Sequence, residues 1–342
     1  MKILTRKAVL RWARLLVWGT VAYGVALFFA DRWWGLELLS NLRVLASGGA
    51  LIGALMSLVV FAPMRAISGV LVATWMAWPV LDYYGLGSLE ALSGEERGAV
   101  NEGVPGFSVV SFNLGPDNAP MDGWVERMVR LPKEDLPDCV FLMEVRPATY
   151  REHFNALRRV FPYQVADPRS DNFGVWLMSR WPIAEDRTRS KQMLKLVEDV
   201  PLVDVDLKHK QLGEIRVMGV HPVPPMNEQM SGMRADYFRA MMKLAPAEAE
   251  EVPLVVAGDF NCAPWSYWFD DLCAGMGVRN AAYGHGLELT WKPYIDVPFL
   301  GMPIDHILIS DHWHVDAFSV GDAAGSDHRP LRAVLQLREV AD

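Results

Sequence analysis

Pro253-Leu254-Val255-Val256-Ala257-Gly258-Asp259-Phe260-Asn261 is the stretch whose reading decides the fold. Leu254, Val255 and Val256 make a short apolar run of the kind found in a strand buried on both faces. The run stops at Gly258 and then presents Asp259 and Asn261. Residues two apart in an extended chain point to the same side, so a carboxylate and an amide face one point. A carboxylate holds a hard cation or takes a proton from water, and an amide donates to an oxyanion. Alone, Asp and Asn after a strand are ordinary turn residues. Their weight depends on what the other strands bring.

Working outward, the chain from Phe107 alternates between strands and helices. Strand patterns cover 107–113, 140–144, 173–179, 202–208, 215–221, 254–258, 304–310, 315–320 and 331–337. Residues 229–244 carry Met233, Tyr237, Met241 and Leu244 at steps of three or four, a helical face. Strands mixed with helices imply packed sheets flanked by helices. No internal repeat is visible in the sequence.

Polar residues recur at the strand ends. Asn113 ends the first strand and Glu144 the second, and His221 ends another within His221-Pro222-Val223-Pro224-Pro225. Asp305 is embedded in the apolar run Ile304-Asp305-His306-Ile307-Leu308-Ile309, and Ser326-Asp327-His328-Arg329-Pro330 precedes the last strand. A buried acid is costly unless paired or ligated, so Asp305 needs a partner, and His328 is the natural one. Each position alone reads as a turn former, a loop histidine or a surface acid. The set would then require independent accidents at successive strand ends.

At these residues the chain resembles the endonuclease/exonuclease/phosphatase superfamily, which includes deoxyribonuclease I, abasic-site endonucleases, bacterial sphingomyelinases and inositol polyphosphate 5-phosphatases. Five blocks match in order: Ser111-Phe112-Asn113, Leu142-Met143-Glu144, Gly219-Val220-His221, Gly258-Asp259-Phe260-Asn261 with Asp305 downstream, and Ser326-Asp327-His328. Gly174 to Ile183 resembles the family's Leu-Ser-Arg-x-Pro-Ile block. Met143 departs from the pattern, standing where Gln is common. Arg329 after the histidine is similar to bacterial membrane-anchored members. The resemblance covers about residues 107–338. It implies an α/β (α+β) fold, a four-layer α/β sandwich of the deoxyribonuclease I-like type with the site at one edge.

The resemblance also implies roles. Glu144 would bind a divalent cation, Mg²⁺ with Mn²⁺ as substitute, with Asn113 and Asp327 nearby. Asp259 and Asn261 would orient and activate the attacking water. His328, held by Asp305, would act on the nucleophile or the phosphoryl oxygen, and His221 would bind phosphate or assist the leaving group. The division of labour between Asp259 and His328 stays open. The chemistry asks for such groups, because uncatalysed phosphate ester hydrolysis is among the slowest of reactions and an anionic ester repels hydroxide. Mg²⁺ prefers carboxylates and water over a cage of His and Cys.

The N-terminal part reads differently. Hydrophobic residues are 51% of the chain, with 13 Trp and 17 Met, and the excess lies before residue 85. Three apolar segments, 12–30, 44–62 and 66–84, read as transmembrane helices, making 1–84 a membrane region. Their apolar cores would span about 28, 28 and 24 Å against a hydrocarbon layer of about 30 Å. Trp75, Trp78, Tyr83 and Tyr84 suit an interface. Lys2, Arg6, Lys7, Arg11 and Arg14 keep the N-terminus in the cytoplasm. Three crossings then put residues 107–342 outside a bacterial inner membrane; two would leave them inside. Residues 85–106, rich in glycine, read as a linker able to lift a domain off the bilayer.

Charge separates the two parts. Residues 1–106 hold 9 Lys+Arg against 7 Asp+Glu, and residues 107–342 hold 24 against 34. So acidic a domain disfavours nucleic acid as a partner. The expectation is a monomeric, membrane-anchored, Mg²⁺-dependent phosphoester hydrolase acting on a lipid or other envelope phosphate. A nuclease and a catalytically silent scaffold are the alternatives. Trp265, Tyr267, Trp268 and Trp291 could line the cleft, with core packing favoured. The three Cys make no disulfide framework, and Cys262 with Cys273 is the one conceivable pair.

Overall fold

The computed structural model describes residues 5–86, 106–119, 121–184, 192–244, 252–293 and 301–338. Most of the linker at 85–106 lies outside them.

The N-terminal region is a helical bundle: α1 (Arg6–Leu27), α2 (Trp34–Ser40), α3 (Arg43–Val59) and α4 (Pro63–Ala77), continued by a 3-10 turn over Trp78–Tyr84. Thr5 caps α1, and Pro63 opens α4, where its missing N–H costs nothing. Small residues face inward: Ala13 and Gly24 on α1, Ala50, Gly53 and Ala54 on α3, Ala66, Gly69 and Ala73 on α4. A Cβ on Gly69 would lie 2.8 Å from that of Ala54, so the helices meet nearly backbone to backbone. Large apolar side chains face outward, among them Trp12, Leu15, Trp18, Leu55, Leu58 and Leu71. Successive long helices run antiparallel, since Arg6 reaches the carbonyl of Val60, Thr20 that of Ala46, and Arg43 that of Met76. Among the described residues, Pro63–Tyr84 alone is long and apolar enough to cross a membrane, or two spans if α2 and α3, bent by 65°, count as one. Arg11 and Arg14 lie within α1, and α3 has 17 residues.

The second region holds two six-stranded sheets. The strands are β1 (Phe107–Asn113), β2 (Cys139–Met143), β3 (Tyr163–Asp167), β4 (Val175–Ser179), β5 (Gln192–Lys195), β6 (Pro201–His209), β7 (Gly213–Val220), β8 (Leu254–Asp259), β9 (Val278–Asn280), β10 (Asp305–Ser310), β11 (Trp313–Val320) and β12 (Leu331–Leu337). One sheet has the order β11-β12-β1-β2-β4-β3 and the other β5-β6-β7-β8-β10-β9. Among the described strands, β1–β2 and β7–β8 are the parallel pairs. Each parallel pair needs a crossover, supplied by α5 (Met121–Arg130) and α7 (Glu228–Leu244). Helices α6 (Pro147–Arg158) and α8 (Tyr267–Met276) follow β2 and β8.

Alternation along the strands builds four layers. Val109, Phe141, Val217, Val255 and Ile307 turn into the core between the sheets. Phe112, Val140 and Trp176 turn outward against Trp124 of α5 and Leu157 of α6. Met218, Val256 and Leu308 turn outward against Phe238 of α7 and Leu272 of α8. The run Leu254-Val255-Val256 is thus buried on both faces, as its composition predicts. Helices α5, α6 and α8 and strands β3, β5 and β9 were not legible. All three helices are short, α5 and α6 carry several charges, and β3 is half-exposed at a sheet edge. Cys139, Cys262 and Cys273 are free thiols.

The two regions touch directly. Glu37 Oε2 of α2 lies 2.5 Å from Arg234 Nη2 of α7. Ala263 N donates to Asn41 Oδ1 at 3.2 Å. Gly284 N donates to Asp82 O at 2.9 Å, and Tyr83 packs edge-on to Tyr283 with ring centroids 5.2 Å apart.

Candidate active site

The C-terminal ends of the two parallel pairs point to one edge of the sandwich. Asn113 is the last residue of β1, and Glu144 follows β2. His221 follows β7, and Asp259 ends β8 opposite Asp305 on β10. Gly258 makes this junction possible: a Cβ there would lie 1.9 Å from the carbonyl oxygen of Val220. Glu144 and Asn261 take left-handed backbone conformations, φ +59° and +52°, uncommon for residues with side chains. Asn118 holds the first by donating from Nδ2 to Glu144 O at 2.9 Å. The second is held by its N–H on Asp259 Oδ1 at 2.8 Å and its Nδ2 on Pro222 O at 3.0 Å.

These side chains form one network. Asn113 Nδ2 lies 3.2 Å from both Glu144 Oε1 and Asp259 Oδ2, so a single amide bridges acids from different sheets. His328 Nδ1 lies 2.9 Å from Asp305 Oδ2, and its Nε2 lies 3.7 Å from Asp259 Oδ2. His221 Nε2 is also 3.7 Å from that oxygen. Trp291 Nε1 donates to Asp327 Oδ2 at 3.0 Å. Thr290 Oγ1 accepts from the amides of Ile304 and Asp305, both at 3.1 Å, fixing the start of β10. Met143, the departure from the family pattern, takes the amide of Asp259 on its sulfur at 3.0 Å. Its thioether therefore anchors the neighbouring strand end. Arg329 braces the loops around the site, pairing with Glu288 at 2.8 Å and donating to Gly321 O at 2.9 Å.

Burial sets the electrostatics. It pushes the Asp259 carboxyl up to about 7, helped by the negative charge of Asp305. Burial alone would lower His328, but the charges of Asp305 and Asp259 outweigh it and push the imidazole up to about 10. His221 moves the other way, to about 4, through burial and the positive charge of His328. Burial also raises Glu144. At neutral pH the site thus contains one charged and one neutral imidazole beside a carboxylate poised near neutrality.

The donor set fits a hard cation. Glu144 Oε2 and Asp327 Oδ1 are buried oxygens without a hydrogen-bond partner, a state that costs free energy unless something else binds them. Asp259, Asp305 and His328 also offer ligand atoms within 4.8 Å of one another. A second such cluster, Asp122, Glu152 and His153, is largely exposed and lies on α5 and α6.

The network floors a cavity of about 600 Å³. Its walls are apolar: Phe173, Pro224, Pro225, Met226, Met230 and Met302, with Trp291 at the polar end. Leu38 and Asn41 of the helical region close one side. Of the four aromatics singled out in the sequence, only Trp291 lines this cavity. Trp265 is buried, Tyr267 is exposed on α8, and Trp268 packs against the outer core. Sequence reasoning missed Asn118, Thr290, Arg234, Leu38 and Asn41. The first two sit in loops without pattern, and the last two lie in an apolar segment far from any motif.

A model of the Endonuclease/Exonuclease/phosphatase family matches residues 102–328. No curated protein matches the chain significantly. Among solved structures, the chain is similar to an endonuclease/exonuclease/phosphatase from Beutenbergia cavernae DSM 12333. The identity is 19% over 69% of this chain and 73% of that one, with a TM-score of 0.51. It is similar to the 3'-5' exonuclease NExo from Neisseria meningitidis at 18% identity, over 66% of this chain and 98% of that one, with a TM-score of 0.53. A 3' phosphatase NExo from Neisseria, bound to a product DNA hairpin, gives 18%, 66%, 98% and 0.52. At these identities the likeness concerns the fold.

Proposed function

This chain belongs to the endonuclease/exonuclease/phosphatase family, and on that premise we propose that it is a membrane-anchored, divalent-metal-dependent phosphoester hydrolase acting on a lipid or other envelope phosphate. The observation that carries the reading is the buried Asp259–Asp305–His328 group set against Asn113 and Glu144 in an apolar-walled cleft.

In this reading Asp259 takes the proton of a water that attacks phosphorus. Asn261 orients it from the neighbouring loop. Charged His328, fixed by Asp305, donates to the phosphoryl oxygen. The ester P–O bond breaks, neutral His221 hydrogen-bonds the departing oxygen, and that oxygen takes a proton from solvent while Asp259 later returns its own to water. Glu144 and Asp327 would hold Mg²⁺ or Mn²⁺ near Asn113, which when bound withdraws charge from the phosphoryl oxygen. The mainly apolar walls lower the local dielectric and so strengthen these interactions.

The anchoring part of the proposal rests on the helical bundle. Small residues inside and large apolar residues outside reverse the pattern of a water-soluble bundle and suit helices packed in lipid. The up-down-up course of α1, α3 and α4 would bring α2 and the 3-10 turn to the end opposite the basic N-terminus. Those two elements, with Asn41 just past α2, touch the second region. Among the described residues, Pro63–Tyr84 alone meets the length and hydropathy of a span, so three crossings, an extracytoplasmic site and a monomeric chain are part of the proposal and rest on the apolar outer face of the bundle.

The test uses the full-length protein in detergent or nanodiscs, with Mg²⁺, Mn²⁺ or EDTA. Substrates are a phosphomonoester, bis(p-nitrophenyl) phosphate, phospholipid vesicles, and single- and double-stranded DNA, with Asp259→Asn as control. Metal-dependent cleavage of lipid or small diesters supports the proposal. Cleavage of DNA alone makes the protein a nuclease.

A further inference from the structure

We propose that α2 is a working part of the active site: Glu37, through Arg234, holds Asn261 in position, so turnover depends on the helical region being docked. The inference rests on the reading that Asn261 serves the reaction, and goes beyond it by assigning a role to residues outside every family motif.

Arg234 and Glu37 are almost completely buried, at 0% and 1% exposure. The Arg234 guanidinium divides its contacts. One terminal nitrogen lies 2.5 Å from Glu37 Oε2. The other makes a short hydrogen bond to the carbonyl oxygen of Asn261. Two residues on, the amide of Ala263 donates to Asn41 Oδ1, just past the end of α2. The loop after β8 is therefore held at 263 directly by Asn41 and at 261 through Arg234 of α7, which Glu37 backs from the helical side.

Asn261 sits at φ +52°, in the left-handed region that Asn tolerates better than most residues with side chains, and its carbonyl is taken by Arg234. Its N–H fixes one oxygen of Asp259 at 2.8 Å. A buried guanidinium must have a counter-charge, and among the described residues Glu37 is its ion-pair partner. The chain of contacts runs Glu37, Arg234, Asn261, Asp259. Removing the Glu37 charge leaves Arg234 without its counter-charge and loosens the side chain that holds the Asn261 carbonyl in the loop that orients the base. Glu37 and Arg234 are thus positioning residues.

The test uses full-length protein in detergent with bis(p-nitrophenyl) phosphate, a soluble substrate that needs no bilayer. Glu37→Gln keeps the size and removes the charge; Glu37→Asp keeps the charge and shortens the reach. In Glu37→Gln, kcat falls by about 10- to 100-fold, as expected for a slightly misplaced group, while KM stays within about twofold. Glu37→Asp retains more kcat than Glu37→Gln, the reverse of what space-filling alone would give. The double variant Glu37→Leu/Arg234→Met removes both charges without leaving either unpaired, and so guards against loss of folding. A folded double variant with kcat within about twofold of the parent overturns the proposal, as does Gln matching or exceeding Asp. Deuterium uptake at residues 260–263 supplies a readout without turnover. It rises in Glu37→Gln if the tether exists and stays unchanged if it does not. A parent that cleaves no phosphoester would therefore count against the proposed function, while uptake still decides the tether.

Discussion

His328 turns Nδ1 to Asp305 at 2.9 Å and leaves Nε2 facing Asp259 at 3.7 Å, with all three side chains buried. One acid fixes the ring, and the other shares its space with the incoming water. Asp305→Asn removes the charge that orients and protonates the ring. Its kcat is expected to fall by about 100- to 10,000-fold, the range of a lost general acid. Circular dichroism should show an intact domain. Near-parent turnover in a folded Asp305→Asn protein would remove His328 from the mechanism.

Turnover in this scheme needs Asp259 ionised and His328 protonated. Asp259 sits at about 7 and His328 at about 10. Activity should rise with pH through the first value, level off, and fall through the second. A bound cation favours the carboxylate, so the acid limb moves down as Mg²⁺ is raised. Rate measurements that instead decline between about pH 6 and 8 would exclude Asp259 as the base.

The same burial that poises Asp259 costs stability. Its folded pKa is raised above the unfolded carboxylate value, so its contribution is fully present below about pH 4 and is lost as pH rises through about 7. Above that range the folded protein carries a desolvated charge. Asp259→Asn should therefore be more stable than the parent at pH 8 in EDTA, by on the order of a few kcal/mol of unfolding free energy and with a higher melting temperature, the gap closing toward about pH 4. Activity should be lost in the same variant. An equal or lower melting temperature at pH 8 would mean that the carboxylate is better compensated than its neighbours suggest.

Glu144 and Asp327 each bring a buried oxygen without a protein partner. Glu144→Gln should raise the Mg²⁺ concentration for half-maximal activity by at least about tenfold. Trp291→Phe, which removes the donor to Asp327 Oδ2, should produce a smaller shift in the same direction. Calorimetric titration with Mg²⁺ and Mn²⁺ reads both effects without substrate. Unchanged affinity in Glu144→Gln would move the cation site elsewhere.

Gly258 pairs with Val220 at the end of the parallel β7–β8 ladder. A methyl group there would lie 1.9 Å from Val220 O, against backbone that cannot swing aside. Gly258→Ala should destabilise the protein by at least about 3 kcal/mol, through overpacking and loss of strand pairing. Chemical denaturation would measure it. A cost under about 1 kcal/mol would show that the strands can separate locally.

The site was more legible in the sequence than its surroundings. Asn113, Glu144, His221, Asp259, Asn261, Asp305, Asp327 and His328 stand at strand ends and converge on one cleft, because a strand buried on both faces announces itself as an apolar run and its end as the first polar residue. Helices α5 and α6 gave no such signal, since short charged helices look like loops. Glu37 and Arg234 were opaque for another reason. Each reads alone as an ordinary charged residue, and only tertiary contact shows that they meet across about 200 positions of sequence. Met143 was misleading in kind: it lacks the hydrogen-bonding group of Gln, yet its sulfur accepts the Asp259 amide.

The order of strands carries a pattern that no residue-by-residue reading reveals. From β1 to β6 and from β7 to β12 the chain runs through the same course: strand, helix, strand, helix, two strands, then a hairpin. Each hairpin crosses over to the other half, β5–β6 lying beside β7 and β11–β12 beside β1. The halves are therefore interlocked by mutual exchange, like a swapped dimer written as one chain. Neither can complete its own sheet. Cut at the turn of Lys210, Gln211 and Leu212, the two pieces would have to find each other before either could fold. The chemistry divides along the same line: Asn113 and Glu144 come from one half, and His221, Asp259, Asp305 and His328 from the other.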